Sequence, residues 1–238
     1  MKKFLGIISA VLWLCFGMTG AVLWVAGDGA LLGAEMLREA PPEKSRLPEE
    51  KRLPEKDYPG VGAMTAEFLT GRREKFQYVA AMGNGTGTAC ARQEMFQPHE
   101  AEHMEDCRGL IRLDTIVCIA CGIAAAALTA AGWIRRNGRK DFLRGILWGL
   151  GGTAAAAAAV LAWAVINFEG LFVTFHRVAF RNDGWLLNPY TDLLINLMPE
   201  SFFIRLGLCG LLRFTPVPLA LMAWAGIGLR RKKCEAES

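Results

Sequence analysis

The sequence predicts a mainly α membrane protein with four transmembrane helices. To these it adds a small extracytoplasmic α+β cap of helix, β-hairpin and helix, and an interfacial re-entrant or amphipathic loop. Three observations predict this. The 238 residues are 53% hydrophobic with a mean hydropathy of +0.25, too apolar for an ordinary soluble domain. Four stretches are long enough to cross a hydrocarbon core of about 30 Å, which takes about 20 apolar residues in a helix. Basic clusters flank the ends of successive stretches: Lys2-Lys3, Arg135-Arg136 with Arg139-Lys140, and Arg230-Arg231-Lys232-Lys233. With four spans, all three clusters fall on one side, and the positive-inside rule makes that side the cytoplasm. Both termini are then cytoplasmic.

The first span, Phe4 to Ala26 within residues 1–27, outruns the roughly 7–15 apolar residues of a secretory signal. A retained helix is expected. Trp13 and Leu14 stand before Cys15 where a lipobox needs small residues. The second span is 114–134 and the third 142–168, joined by a cytoplasmic loop at 135–141. In the third, the run Ala154 to Ala159 is suited to close approach by a neighbouring helix. The fourth lies within 204–229, broken by Arg205, Arg213 and Pro216-Val217-Pro218, and leads to a cytoplasmic tail at 230–238.

This topology puts 28–113 and 169–203 outside. Residues 28–60 read as a Pro- and charge-rich linker. Its core, APPEKSRLPEEKRLPEKDYP over 40–59, holds a tandem repeat, RLPEEK then RLPEKD. Proline and charge predict an extended, solvated tether. Residues 61–113 form the cap. Val61 to Leu69 reads as a helix ended by Thr70-Gly71. Lys75 to Met82 and Thr88 to Phe96 read as strands around the Asn-Gly turn in Gly83-Asn84-Gly85-Thr86-Gly87. Pro98 suits the first turn of a helix running through Arg108.

The net charge of +4 is the topology signal, not a nucleic-acid signal. Asp28 to Arg108 holds 15 acidic and 11 basic residues. Cys118 and Cys121 have metal or redox spacing but lie inside a span with no partner pair, so they read as small buried hydrophobes. Cys90 and Cys107 are both outside and open to a disulfide, although nothing else points to a disulfide scaffold.

Residues three apart share a helix face, so Glu100, His103 and Asp106 line up. A carboxylate beside an imidazole can orient it and tune its protonation. From this helix alone, a solvated acidic face explains the pattern better. The three histidines of the chain, His99, His103 and His176, all fall outside, which favours two membrane-adjacent imidazoles converging on one face. In 169–203, Phe175, Phe180, Trp185, Leu186, Leu187 and Tyr190 suit a bilayer interface. Asn188-Pro189 marks a turn, and Thr191 to Met198 reads as a short amphipathic helix. Arg177 and Arg181 are placed either to contact lipid phosphates or simply to snorkel.

The run Phe175-His176, Phe180, Asn182, Trp185, Pro189, Asp192, Leu194-Ile195, Pro199 and Phe202-Phe203 resembles the signature of a bacterial four-span integral membrane family. That family includes the lipoprotein intramolecular transacylase. Glu100, His103 and Asp106 just before a span resemble its other marked segment, and the likeness covers roughly 61–229. It implies an outward-facing active site with His103 and His176 as the catalytic pair. Asp106, Glu100, Asn182, Asp192 and Trp185 would support them, and Arg177, Arg181, Phe175 and Phe180 would meet substrate or lipid. The implied reaction is intramolecular acyl transfer on a diacylated lipoprotein in the cell membrane, without cofactor or metal. Cys107 stands where the family usually has a small aliphatic residue, so it is not read as a nucleophile.

Other readings compete. His103, His176, Glu100 and Asp106 include the donors of a metal-dependent membrane hydrolase or protease, but no HExxH-type spacing supports one. No Gly-x-Ser-x-Gly elbow marks a serine hydrolase. A non-enzymatic scaffold or sensor would need neither histidine, and a transporter would show charge deep in its spans, where only Arg213 stands.

Overall fold

The structure, a computed structural model, describes residues 1–82, 91–134 and 137–234, without the side chains of 81, 82, 91, 92 and 231–234. The predicted turn at 83–87, Cys90 and Arg135-Arg136 lie outside the described residues. Among the described residues, four helical segments are long and apolar enough to cross a membrane: Lys2–Gly27, Pro98–Ile134, Arg139–Ile166 and Glu200–Arg230. The chain divides into two compact units.

The first unit comprises Met1–Val22, Asp114–Asn167 and Gly210–Ser238. It takes most of α1 (Lys2–Gly27), the apolar part of α4 (Pro98–Ile134), α5 (Arg139–Ile166) and α9 (Pro216–Cys234). Ala10, Leu14, Phe142, Leu143, Ile146 and Leu150 pack with Leu221 and Ala225 as its core. α1 and α5 touch backbone to backbone: a Cβ on Gly145 would run into the Lys3 carbonyl and Gly6, and one on Gly149 would meet Ala10 and Ile7. Small residues serve helix packing in lipid this way. The alanine run does not have this role: Ala154 to Ala159 are exposed, which corrects the expectation that they seat a neighbour. Gly145→Ala should therefore cost about 1–3 kcal/mol by overpacking, read as a lower thermal midpoint in detergent. An unchanged midpoint would mean the two helices do not meet there.

The fourth span is two helices, α8 (Glu200–Phe214) and α9, parted at Pro216. Proline removes the N–H that would reach back to Leu212. The Thr215 hydroxyl lies within reach of that freed acceptor, 3.0 Å from the Leu212 carbonyl, and 2.8 Å from the Leu211 carbonyl, which also accepts the Thr215 N–H. A threonine side chain is a usual remedy for a proline break in a membrane helix.

The second unit comprises Leu23–Leu113 and Phe168–Cys209. Two of its helices fall in stretches read as linker or loop. α2 (Gly29–Glu39) is started by Asp28, whose carboxylate accepts from the Leu31 N–H at 3.0 Å, a standard N-cap. α6 (Phe168–Ala179) continues the chain after the third span. α2 packs on α3 (Tyr58–Leu69) through Gly29, Gly33 and Gly62, whose backbones leave no room for a Cβ.

Residues 40–59 are not a solvated tether, and that expectation is corrected. Leu47 and Leu53, one from each tandem repeat, are 2% and 1% exposed. Each is followed by a proline that opens a single 3₁₀ turn, Glu49–Lys51 and Glu55–Asp57. The repeat is thus an anchoring device, with leucine inserted, proline turning the chain and charges outside. The strands are β1 (Val79–Met82) and β2 (Ala91–Glu94), antiparallel with Val79 opposite Glu94. α7 (Leu193–Leu197) lies within the predicted short helix. Phe68, Phe76, Phe96, Met104, Leu194 and Phe202 belong to the core of this unit.

Candidate active site

The site begins at the start of α4. Gln97 precedes Pro98, and Glu100 stands three residues on. The Glu100 Oε2 accepts the Gln97 N–H at 2.7 Å, as the glutamate of a capping box does. Its Oε1 accepts the Leu194 N–H at 2.6 Å. That N–H lies in the first turn of α7, so one fully buried carboxylate (0% exposed) ties together two helix N-termini. Burial pushes the Glu100 carboxyl above its ordinary value, against the pull of those two bonds.

Asp192 completes the frame. Its Oδ2 accepts the Asn188 N–H at 2.8 Å and lies 3.1 Å from the His99 Nε2. Its Oδ1 accepts the Thr191 hydroxyl at 2.7 Å. Burial would raise this carboxyl, but these bonds and the facing His99 hold it below the usual carboxylate range. Asn196 bonds the Pro189 and Asp192 carbonyls and accepts from the Arg46 N–H at 2.9 Å, joining the repeat segment to the loop. Glu100 and Asp192, with His99, thus brace the loop against the start of α4, and neither carboxylate hydrogen-bonds His103 or His176.

The two remaining imidazoles meet. His103 and His176 are 7% and 8% exposed, with ring centres 6.0 Å apart. The His176 Nδ1 lies 2.8 Å from the Phe172 carbonyl. A carbonyl only accepts, so Nδ1 carries the proton and Nε2 keeps its lone pair. Phe172, Trp185, Phe175 and Phe180 surround the ring, with centres 4.2, 5.1, 5.4 and 5.5 Å away. This apolar shell lowers the pKa of His176, while the Phe172 bond opposes the shift. Burial and the neighbouring His176 push His103 down to about 4, so both rings are neutral at pH 7.

Asp106 and Asn182 meet beside them. The Asn182 Nδ2 donates to the Asp106 Oδ2 at 2.9 Å, and its Oδ1 accepts the Gly184 N–H at 3.0 Å. Arg177 and Arg181 are exposed. Among the described residues, no three His, Cys, Asp or Glu side chains are arranged to hold a metal ion.

The family model for the lipoprotein intramolecular transacylase Lit matches residues 7–203. The chain belongs to the Lit family. Intramolecular acyl transfer on a lipoprotein is the reaction of that family, and the chain is an integral membrane acyltransferase. The in meso structure of the membrane integral transacylase Lit from Bacillus cereus is similar, with 19% identity, a TM-score of 0.70, and 98% of each chain covered. A histidine-to-alanine variant of that protein matches at 18% identity and TM-score 0.67, covering 98% of this chain and 96% of that one. A histidine-to-arginine variant matches at 18% and 0.65, covering 99% and 95%. At these identities the likeness is one of fold. No curated protein sequence matches.

Two features of this Lit-family site escaped the sequence. The first is the Phe172 carbonyl, legible only once 168–179 is seen as a helix, because it is the i−4 partner of His176. The second is Cys107, whose Sγ lies 3.7 Å from the His103 Nε2, one helical turn on. Its suggested disulfide partner, Cys90, lies outside the described residues.

Proposed function

We propose that this protein moves the sn-2 acyl chain of a diacylglyceryl-modified N-terminal cysteine onto that cysteine's own α-amine, leaving a lyso-form lipoprotein. The observation that carries this reading is the buried pair His103 and His176, one of which presents an unprotonated Nε2. An ester becomes a more stable amide, so the reaction requires no ATP, acyl carrier or cofactor. Ester and amine already share one molecule, and holding them together in the attacking geometry is the largest contribution available.

The α-amine has a pKa of about 8 in solution and attacks only when neutral. As its nitrogen bonds to the ester carbonyl carbon, the His176 Nε2 takes the proton. The resulting imidazolium returns a proton to the glycerol oxygen as the C–O bond breaks. Asn182 gives one amide hydrogen to Asp106 and has a second to offer the tetrahedral oxyanion. Phe175, Phe180 and Trp185 make the apolar surface for the acyl chain. Arg177 and Arg181, both exposed, face lipid headgroups. The basic clusters favour cytoplasmic termini, with 28–113 and 169–203 on the outer side, where a lipoprotein presents its acylated cysteine.

The test is expression in a bacterial host that makes only diacylated lipoproteins, followed by tandem mass spectrometry of one lipoprotein's N-terminal peptide. An acyl chain on the α-amine and a lyso-glyceryl thioether are expected. An unchanged diacylglyceryl peptide, with the protein present in the membrane, would overturn the reading.

A further inference from the structure

Two unpaired facts meet at His103. Its Nδ1 is buried with no hydrogen-bond partner among the described residues. Its Nε2 faces the Cys107 thiol at 3.7 Å, within reach for sulfur. The two fix each other's roles. Burial and the adjacent Asp106 charge push the thiol up to about 12, so sulfur keeps its hydrogen and is no nucleophile. An imidazole sp² nitrogen is a good acceptor and thiol sulfur a poor one, so the hydrogen bond runs from S–H to Nε2. A neutral imidazole has one N–H, and with Nε2 accepting, that N–H is Nδ1. The orphan atom is therefore a donor.

We infer that Cys107 is a positioning residue that locks His103 in its Nδ1–H form, so that this N–H serves as a neutral hydrogen-bond donor to the ester carbonyl and its oxyanion. The inference rests on the acyl-transfer reading and divides the labour of the pair: His176 moves the proton and His103 polarises the carbonyl. A neutral imidazole suits the donor role because it does not compete with His176 for the α-amine's proton. An unsatisfied buried donor is costly on its own, and a substrate carbonyl relieves that cost by occupying it.

Two measurements separate this inference from the reading beneath it. The first needs no substrate. The full-length protein, labelled with ¹⁵N-histidine in lipid nanodiscs, has three imidazoles, assigned by single replacements. The His103 ring is expected to be protonated at Nδ1 and bare at Nε2. In Cys107→Ala the Nε2–H form should gain population, and in Cys107→Ser the wild-type form should return. A His103 protonated at Nε2 in the wild type would overturn the inference, whatever the outcome of the lipopeptide assay.

The second is turnover of a diacylglyceryl lipopeptide. Cys107→Ala should lower kcat about tenfold with a smaller rise in KM, because the bond to the ester carbonyl strengthens as the oxyanion forms. Cys107→Ser should recover most of that loss. A Cys107→Ala enzyme with wild-type kcat would overturn the positioning role. A wild type that transfers no acyl chain would overturn the acyl-transfer reading and leave the tautomer result standing.

Discussion

His176→Ala is expected to lower kcat on a diacylglyceryl lipopeptide by about 10²–10⁴, the range for loss of a positioned general base. Both kcat and kcat/KM should fall together, because the proton moves only in the transition state. The protein should still insert in the membrane, since the ring touches the Phe172 carbonyl and a set of aromatic rings but ties no two helix ends together. The pH profile carries the same claim. Burial holds His176 below the ordinary imidazole value. Its base form therefore dominates at neutrality, and the acid limb of kcat/KM belongs below about 6.5. The substrate's α-amine makes the rate climb again toward about pH 8. A His176→Ala enzyme retaining a tenth of wild-type activity, or an acid limb above 7, would remove its Nε2 from the mechanism.

Much of this site was legible in the sequence, and what was missed has physical reasons. The four spans follow from apolar run length, which needs no tertiary information. The pairing of His103 with His176 followed from the motif resemblance and from both falling on one predicted side. Helical spacing groups Glu100 with His103, and the family resemblance groups Asp192 with the imidazoles. Spacing gives a direction and not a partner, and the nearer unsatisfied groups were the N–H donors of Gln97 and Leu194. The segment 40–59 misled through composition. Proline and charge describe the outward face of each repeat, while the single leucine in each, Leu47 or Leu53, decides where the chain lies. Arg205 read as a flaw in a membrane span. It instead forms a two-pronged pair with Glu35, at 3.2 and 3.4 Å, which could not be seen without α2.

Glu100→Ala should be among the most destabilising single changes in the second unit. Two N–H groups, a buried one on Leu194 and a half-buried one on Gln97, would lose their acceptor at once, at about 1–3 kcal/mol for the first and less for the second. That is a large part of the 5–15 kcal/mol that holds a typical domain. Glu100→Gln keeps one acceptor oxygen and should lose about half as much. The loss is best read as faster amide exchange around 97–104 and 192–197, since only these helix ends are released, while α1 and α5 exchange as before. The sign of the pH dependence separates this carboxylate from Asp192. Burial raises the Glu100 pKa in the folded state, so its contribution is fullest below the unfolded value of about 4.3 and declines as pH rises through the folded value. Asp192 is lowered. Its contribution is present above about 3.9 and is lost as pH falls through the folded value. The gap between wild type and Glu100→Ala should therefore narrow as pH rises, and the gap for Asp192→Ala should narrow as pH falls. Because Glu100 lies one turn before His103, its loss should also lower kcat through a displaced imidazole, with exchange and activity failing together. Activity lost with exchange unchanged would instead make Glu100 a participant in the chemistry.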